Sequence, residues 1–194
     1  MARARGRIRN LIRAYTVGHG TLPIEDFLRL LQGAGIVAVA DIRRFPGSRR
    51  NPQFGADALR TSLEGAGLLY AAHPELGGRR RPDPDSKNLG LRNEAFRAYA
   101  DFMQTSDFSS AIAGLLGEMH LRPMALMCAE SLPWRCHRRL VADYLALVHE
   151  CEIYDLFHTG RLQTHRLTPG VMKADGGVRY AAEDVQAGHR EPAH

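Results

Sequence analysis

The chain has 194 residues, which fits one domain with a full core, and its 44% hydrophobic and 24% charged content is ordinary for a soluble globular protein. No apolar run approaches the ~20 residues that span a bilayer, which argues against a spanning helix. The net charge of +5 and pI near 9.4 come largely from clustered arginines, which pair bidentately with phosphate and carboxylate and favour phosphate-bearing partners over a membrane.

Residues 1 to 10 read as a basic lead-in without the apolar core or cleavage site of a signal peptide. Leu11 to Val17 reads as a first strand, broken by Gly18-His19-Gly20. Pro23 and Ile24 open a helix in which Phe27, Leu28 and Leu31 keep helical spacing, ending at Gly33 or Gly35. Ile36 to Ile42 is a near-continuous β-branched run, as in a buried parallel strand. It leads into Asp41-Ile42-Arg43-Arg44-Phe45-Pro46-Gly47-Ser48-Arg49-Arg50-Asn51-Pro52, and a short helix follows from Ala56 to Gly65.

Leu68 to Ala72 reads as a third strand, followed by a long polar loop that begins His73-Pro74-Glu75-Leu76-Gly77-Gly78-Arg79. A loop of that length inside a compact domain is usually functional. Helices are expected over Asn93 to Met103 and Phe108 to Met119. A strand is expected at 124 to 127, a helix at 137 to 148 and a last strand from Cys151 to Phe157. The chain is polar and Gly-rich from about Arg166, with a short strand possible near Val178 to Tyr180 and a disordered end over the last ten residues. The expected organisation is a single α/β domain over 11–172 with a partly disordered polar tail over 173–194. Its mostly parallel sheet has about five strands, flanking helices and Rossmann-like layering.

Four strand-end loops carry His19, the Arg43 to Arg50 segment, Glu75 to Arg81 and Cys128 to Arg139. In a parallel sheet they gather at the carboxyl edge, where open α/β folds bind ligands. Several motifs in order resemble the domain of unknown function 488 family. They are Val17-Gly18-His19, Asp41-Ile42-Arg43 with Pro46 and Ser48-Arg49-Arg50-Asn51-Pro52-Phe54, Pro74-Glu75-Leu76-Gly77-Gly78-Arg79, Cys128-Ala129-Glu130 with Cys136-His137-Arg138, and His165-Arg166-Leu167-Thr168-Pro169-Gly170. The resemblance spans about residues 12 to 172. It implies an α/β fold and a shared site, and no reaction. Arg44-Phe45 departs from the smaller, less basic pair expected there.

The catalytic candidates are Glu130, Glu75, His137 and Asp41, as groups able to move protons or act as nucleophiles. The expected phosphate-binding set is His19, Arg43, Ser48, Arg49, Gly77, Gly78, Arg79 and Arg138, with the glycines letting backbone approach a ligand. Asp41 and Arg43 alternate along a strand end, so they form either a clamp or an anion site. Cys128 and Cys136 support three readings. One is a thiolate lowered by the helix start and nearby arginines. Another is a metal site with Glu130 and His137, whose adjacent Cys136-His137 is awkward for ligation. The third is structural packing, with Glu130, His137 and Arg138 facing the cleft. The structural reading is adopted because a strand-end cysteine is commonly buried and inert, and no metal is assigned because the spacing matches no standard zinc motif and the nearby cationic groups disfavour a dication; no phosphate-loop or dinucleotide motif implies a cofactor. Three cysteines without a secretory framework point to a reducing cytoplasm.

The function expected is an enzyme acting on a nucleotide or nucleic-acid base by hydrolysis or group transfer, with N-glycosidic cleavage the preferred version. A non-catalytic nucleotide- or nucleic-acid-binding module and a thiol redox or metal protein using Cys128, Cys136 and His137 are the alternatives.

Overall fold

The computed structural model describes residues 11–47 and 49–182. The basic lead-in, Ser48 and the expected disorder of the last ten residues lie outside the described residues. Six strands form one sheet: β1 (Arg13–Gly18), β2 (Ala38–Asp41), β3 (Leu69–Ala72), β4 (Met124–Cys128), β5 (Glu152–Leu156) and β6 (Leu162–Thr164). Their order is β3-β2-β4-β1-β5-β6. The first five are parallel, and β6 pairs antiparallel to β5 at the edge. The sheet is therefore one strand larger than the sequence reading. A three-residue strand with alternating exposure carries too weak an apolar pattern to stand out.

Five helices cover the sheet: α1 (Ile24–Gly33), α2 (Ala56–Gly65), α3 (Glu94–Phe102), α4 (Ser106–Met119) and α5 (Arg138–His149). Phe27 and Leu31 of α1 and Leu59 and Leu63 of α2 pack with Val39, Ala125 and Met127 on one face. Tyr99 of α3, Phe108, Ile112 and Leu115 of α4 and Leu140, Val141 and Leu145 of α5 pack with Ala38, Ala40, Met124 and Leu126 on the other. Successive residues of β4 thus feed alternate cores, which is why this strand is apolar throughout and buried at every position. Asn93 caps α3 by accepting from the Phe96 amide at 3.2 Å, and Thr105 caps α4 by accepting from the Phe108 amide at 3.3 Å.

Within the polar C-terminal segment, the short strand expected near Val178 to Tyr180 is present. β7 (Val171–Ala174) and β8 (Gly177–Tyr180) form an antiparallel hairpin. Val178 and Tyr180 are buried in the core beside α5, which offsets the polar composition of their surroundings. The long loop after β3 is held to this hairpin by Asn88. Its side chain donates to Asp101 at 2.7 Å and accepts from the Tyr180 amide at 3.0 Å.

A buried polar network ties the far side of the sheet together. His165 donates from Nε2 to Asp143 of α5 at 3.0 Å and from Nδ1 to Asp155 of β5 at 3.2 Å. Thr16 of β1 donates to Asp155 at 2.6 Å, and Tyr180 of β8 donates to Asp143 at 2.9 Å. Burial opposes charge on His165, but hydrogen bonds and attraction from the two carboxylates outweigh it and hold the ring at a pKa of about 9. The folded-state value lies above the ordinary 6.5, so the stabilisation is fully present below about pH 6.5 and is lost as pH rises through about 9. Denaturant unfolding across that range should show stability falling by on the order of 3 kcal/mol. In His165→Gln the alkaline decline should disappear. An unchanged pH slope in that variant would remove His165 as its source.

Candidate functional site

The strand order sets where a site can form. From β2 the chain moves outward to β3, whereas from β4 it moves to the opposite side and reaches β5. The loops after these neighbouring strands therefore part, and a crevice opens between their carboxyl ends. The segments after Asp41 and Cys128 line it. The result is a cavity of about 370 Å³. Arg43, Arg44 and Phe45 come from the loop after β2, Gly78 and Arg79 from the loop after β3, Phe96 and Tyr99 from α3, and Cys128, Glu130, Arg135, Cys136 and His137 from the loop after β4.

His137 is held in one orientation. Its Nε2–H donates to the Ile42 carbonyl at 3.1 Å, which turns Nδ1 toward the cysteines. Nδ1 lies 3.9 Å from the Cys128 sulfur and 3.8 Å from the Cys136 sulfur. The Tyr99 ring lies 4.9 Å from the imidazole centre, and its hydroxyl is anchored on the Leu76 carbonyl at 2.6 Å. The sequence reading had the adjacent Cys136 and His137 as awkward for joint ligation. They converge because Cys136 is extended (φ −134°, ψ 145°) and His137 enters the helical region (φ −60°, ψ −21°), so the chain turns between them.

Both thiols are buried, and they perturb each other. The hydrogen bond shared with Cys128 holds the Cys136 thiol well below its ordinary range despite burial, with His137 and Arg138 adding to the effect. The same hydrogen bond, reinforced by burial, pushes Cys128 up. Cys151 lies outside this cluster and is raised to about 11 by burial.

Asp41 and Arg43 form a buried clamp. Arg43 donates to Asp41 from Nε at 2.8 Å and from Nη2 at 2.6 Å, while Tyr70 donates to the same carboxylate at 2.9 Å. Arg43 Nη1 donates to His19 Nε2 at 3.2 Å, and His19 Nδ1–H donates to the Gly20 carbonyl at 2.9 Å. His19 stacks on Phe54 at 4.1 Å. Burial and the neighbouring Arg43 cation lower its pKa to about 4, which suits its role as a neutral acceptor. Asp41 and His19 thus stand behind the cavity wall, while Arg43 keeps one edge on it.

The other candidates divide. Glu130, His137, Arg79, Gly78 and Arg43 line the cavity. Glu75 does not, and pairs with His73 at 3.1 Å. Arg49 is exposed outside the cavity lining, and Ser48 lies outside the described residues. Arg138 was expected to face the cleft but is buried, donating to the carbonyls of Glu130 and Ser131, the latter at 2.9 Å. The glycines accommodate the chain itself. A Cβ at Gly77 would lie 2.5 Å from the Arg44 amide nitrogen, and one at Gly78 would lie 3.2 Å from His137 Nδ1. Arg44, Phe45, Phe96, Tyr99 and Arg135 had not been assigned to the site. Phe45, an aromatic side chain placed among arginines in a loop, was the one legible signal.

Two substitutions test this geometry. Arg43→Ala leaves Asp41 buried without its cation and should cost about 3–5 kcal/mol in denaturant unfolding. A loss within the range of an ordinary surface substitution would disprove the clamp. Gly78→Ala should retain the fold but displace the His137 ring, read as a change in its imidazole NMR shifts and in thiol alkylation rates. Unchanged shifts would show that the ring is not held against Gly78.

Comparison with curated proteins and with solved structures returned no match. Residues 23–145, which run from the start of α1 to within α5, match the family described as Domain of unknown function DUF488. The matched span carries every strand-end loop that builds the cavity, and the chain belongs to that family.

Proposed function

We propose that the protein is an enzyme that acts on a phosphate-bearing ligand, a nucleotide or a base in nucleic acid, by hydrolysis or group transfer in this cavity. The observation that carries the reading is the meeting of a cationic wall, an aromatic face and a proton-transfer group in one cavity at the sheet's switch point. Its volume, about 370 Å³, falls in the range of small-molecule sites. Phe45 is 64% exposed with the Arg44 and Arg79 guanidinium carbons 5.6 and 5.9 Å from its ring centre. That arrangement offers a ring to stack on and cations for a phosphate beside it. Arg135 adds a further cation to the lining.

Glu130 is the one carboxylate among the described residues lining the cavity. A single carboxylate suits general-base activation of water. It does not match the paired carboxylates of most glycoside hydrolases, so N-glycosidic cleavage here would proceed by direct attack of water. Three free, buried thiols support a reducing compartment such as the cytoplasm.

Release of base, phosphate or ammonia from a panel of nucleotides and oligonucleotides tests the reading. Glu130→Gln should keep the fold and lower turnover by about 10²–10⁴-fold. Arg79→Ala and Arg135→Ala should each weaken ligand binding by about tenfold, as for loss of one charge-assisted hydrogen bond. Ligand binding without turnover across the panel would establish a binding module instead. Unchanged affinity in both arginine variants would remove the phosphate assignment.

A further inference from the structure

We propose that Cys128, Cys136 and His137 bind one zinc ion whose fourth coordination position faces the cavity. The inference deepens the hydrolytic reading and rests on it for the reaction, though not for the binding of metal.

Two sulfurs and an imidazole nitrogen are within 4.8 Å of one another. Thiolate and imidazole together are the donor set that suits zinc. The Nδ1–sulfur separations of 3.8 and 3.9 Å exceed by a few tenths of an ångström the ~3.5 Å that a tetrahedral zinc with ordinary bond lengths requires. A small rotation of the cysteine side chains closes that gap. The imidazole is already set for ligation, because its Nε2–H is anchored on the Ile42 carbonyl and Nδ1 points at both sulfurs. Metal-binding histidines are commonly oriented in this way by a partner on the other ring nitrogen.

The surrounding charge is compatible with a dication. Two thiolates neutralise Zn²⁺, so the nearby cations face a site of no net charge. Arg43 is paired with Asp41, and Arg138 is engaged by the Glu130 and Ser131 carbonyls. The fold supplies three ligands at the cavity wall and no fourth His or Cys among the described residues within reach. Three protein ligands with one position left to water or substrate is the arrangement of catalytic zinc sites, whereas structural sites are closed by four.

Glu130, two residues beyond Cys128, lines the same cavity. In the reaction this implies, Glu130 takes one proton from zinc-bound water. The hydroxide oxygen then bonds to the electrophilic carbon or phosphorus of the substrate, and the bond to the leaving group breaks with its electron pair. Glu130 returns the proton to that group. The sum is hydrolysis, with no oxidant or second substrate. The substrate class is a nucleotide or nucleobase with a hydrolysable exocyclic amine, glycosidic bond or phosphoester.

Metal analysis and cobalt substitution of the full-length protein test the site without any substrate. The expected result is one equivalent of zinc after dialysis, replaceable by Co²⁺ with thiolate-to-cobalt charge transfer and the visible bands of a tetrahedral ion. Cys128→Ser, Cys136→Ser and His137→Gln should each weaken Co²⁺ binding by at least tenfold, with circular dichroism reporting the fold. Cys151→Ser, which alters a buried thiol outside the cluster, should bind cobalt as the parent does. Added azide should perturb the cobalt bands if the fourth position is open. Cobalt bands insensitive to azide would overturn the open position. A folded parent protein that takes up neither ion, and in which Cys136 is alkylated rapidly, would overturn the metal site in favour of a thiolate nucleophile. Metal binding without turnover would leave the site intact and remove the hydrolytic reading. Turnover in metal-free protein would do the reverse.

Discussion

The insertion of β4 between β2 and β1 is the constraint on which the rest of the structure depends. It places the end of a strand that feeds α5 beside the end of a strand that feeds α2, and the two connections leave in opposite directions. The hydrogen bond from His137 to the Ile42 carbonyl closes the base of the resulting crevice. That bond joins residues 95 positions apart in sequence and decides which imidazole nitrogen meets the cysteines. The tautomer of the site is therefore a consequence of strand order.

Behind the cavity, charged groups work mainly on one another. Asp41 is 1% exposed, and a carboxylate so placed is tolerated only when paired and hydrogen-bonded. Arg43 and Tyr70 meet that requirement. The guanidinium, extended to a neutral His19, fixes the loop after β1 against the loop after β2. Arg138 serves the same purpose for the loop after β4 by holding two of its carbonyls. These arginines stiffen the wall, while Arg44, Arg79 and Arg135 remain exposed beside the cavity.

The opposite flank depends on His165. Its two nitrogens join α5 to β5, and Tyr180 and Thr16 complete the carboxylates from β8 and β1. This network fixes the start of the C-terminal hairpin on α5, the helix that begins at the cysteine-histidine cluster. No residue of the network lines the cavity, and α5 is the element common to both.

The amino-acid sequence by itself determined the five parallel strands, the five helices and their layering. Ala38 to Ala40 and Met124 to Met127 are apolar without alternation because both faces of an internal parallel strand are covered. The spacing of Phe27 with Leu31 and of Leu59 with Leu63 marks helices with one buried face. The strand-end loops were also legible as the source of the cavity lining, since period and punctuation are local properties. Only the tertiary structure decided which side of each loop residue faces the cavity. Glu75 turns to His73, Arg138 turns inward to carbonyls, and Gly77 and Gly78 make room for Arg44 and His137. The convergence of Cys128, Cys136 and His137 was likewise hidden, because it depends on a backbone turn between two adjacent residues and on a carbonyl from another strand. Such partners are distant in sequence and leave no periodic trace, so composition and spacing locate the loop but not the geometry within it.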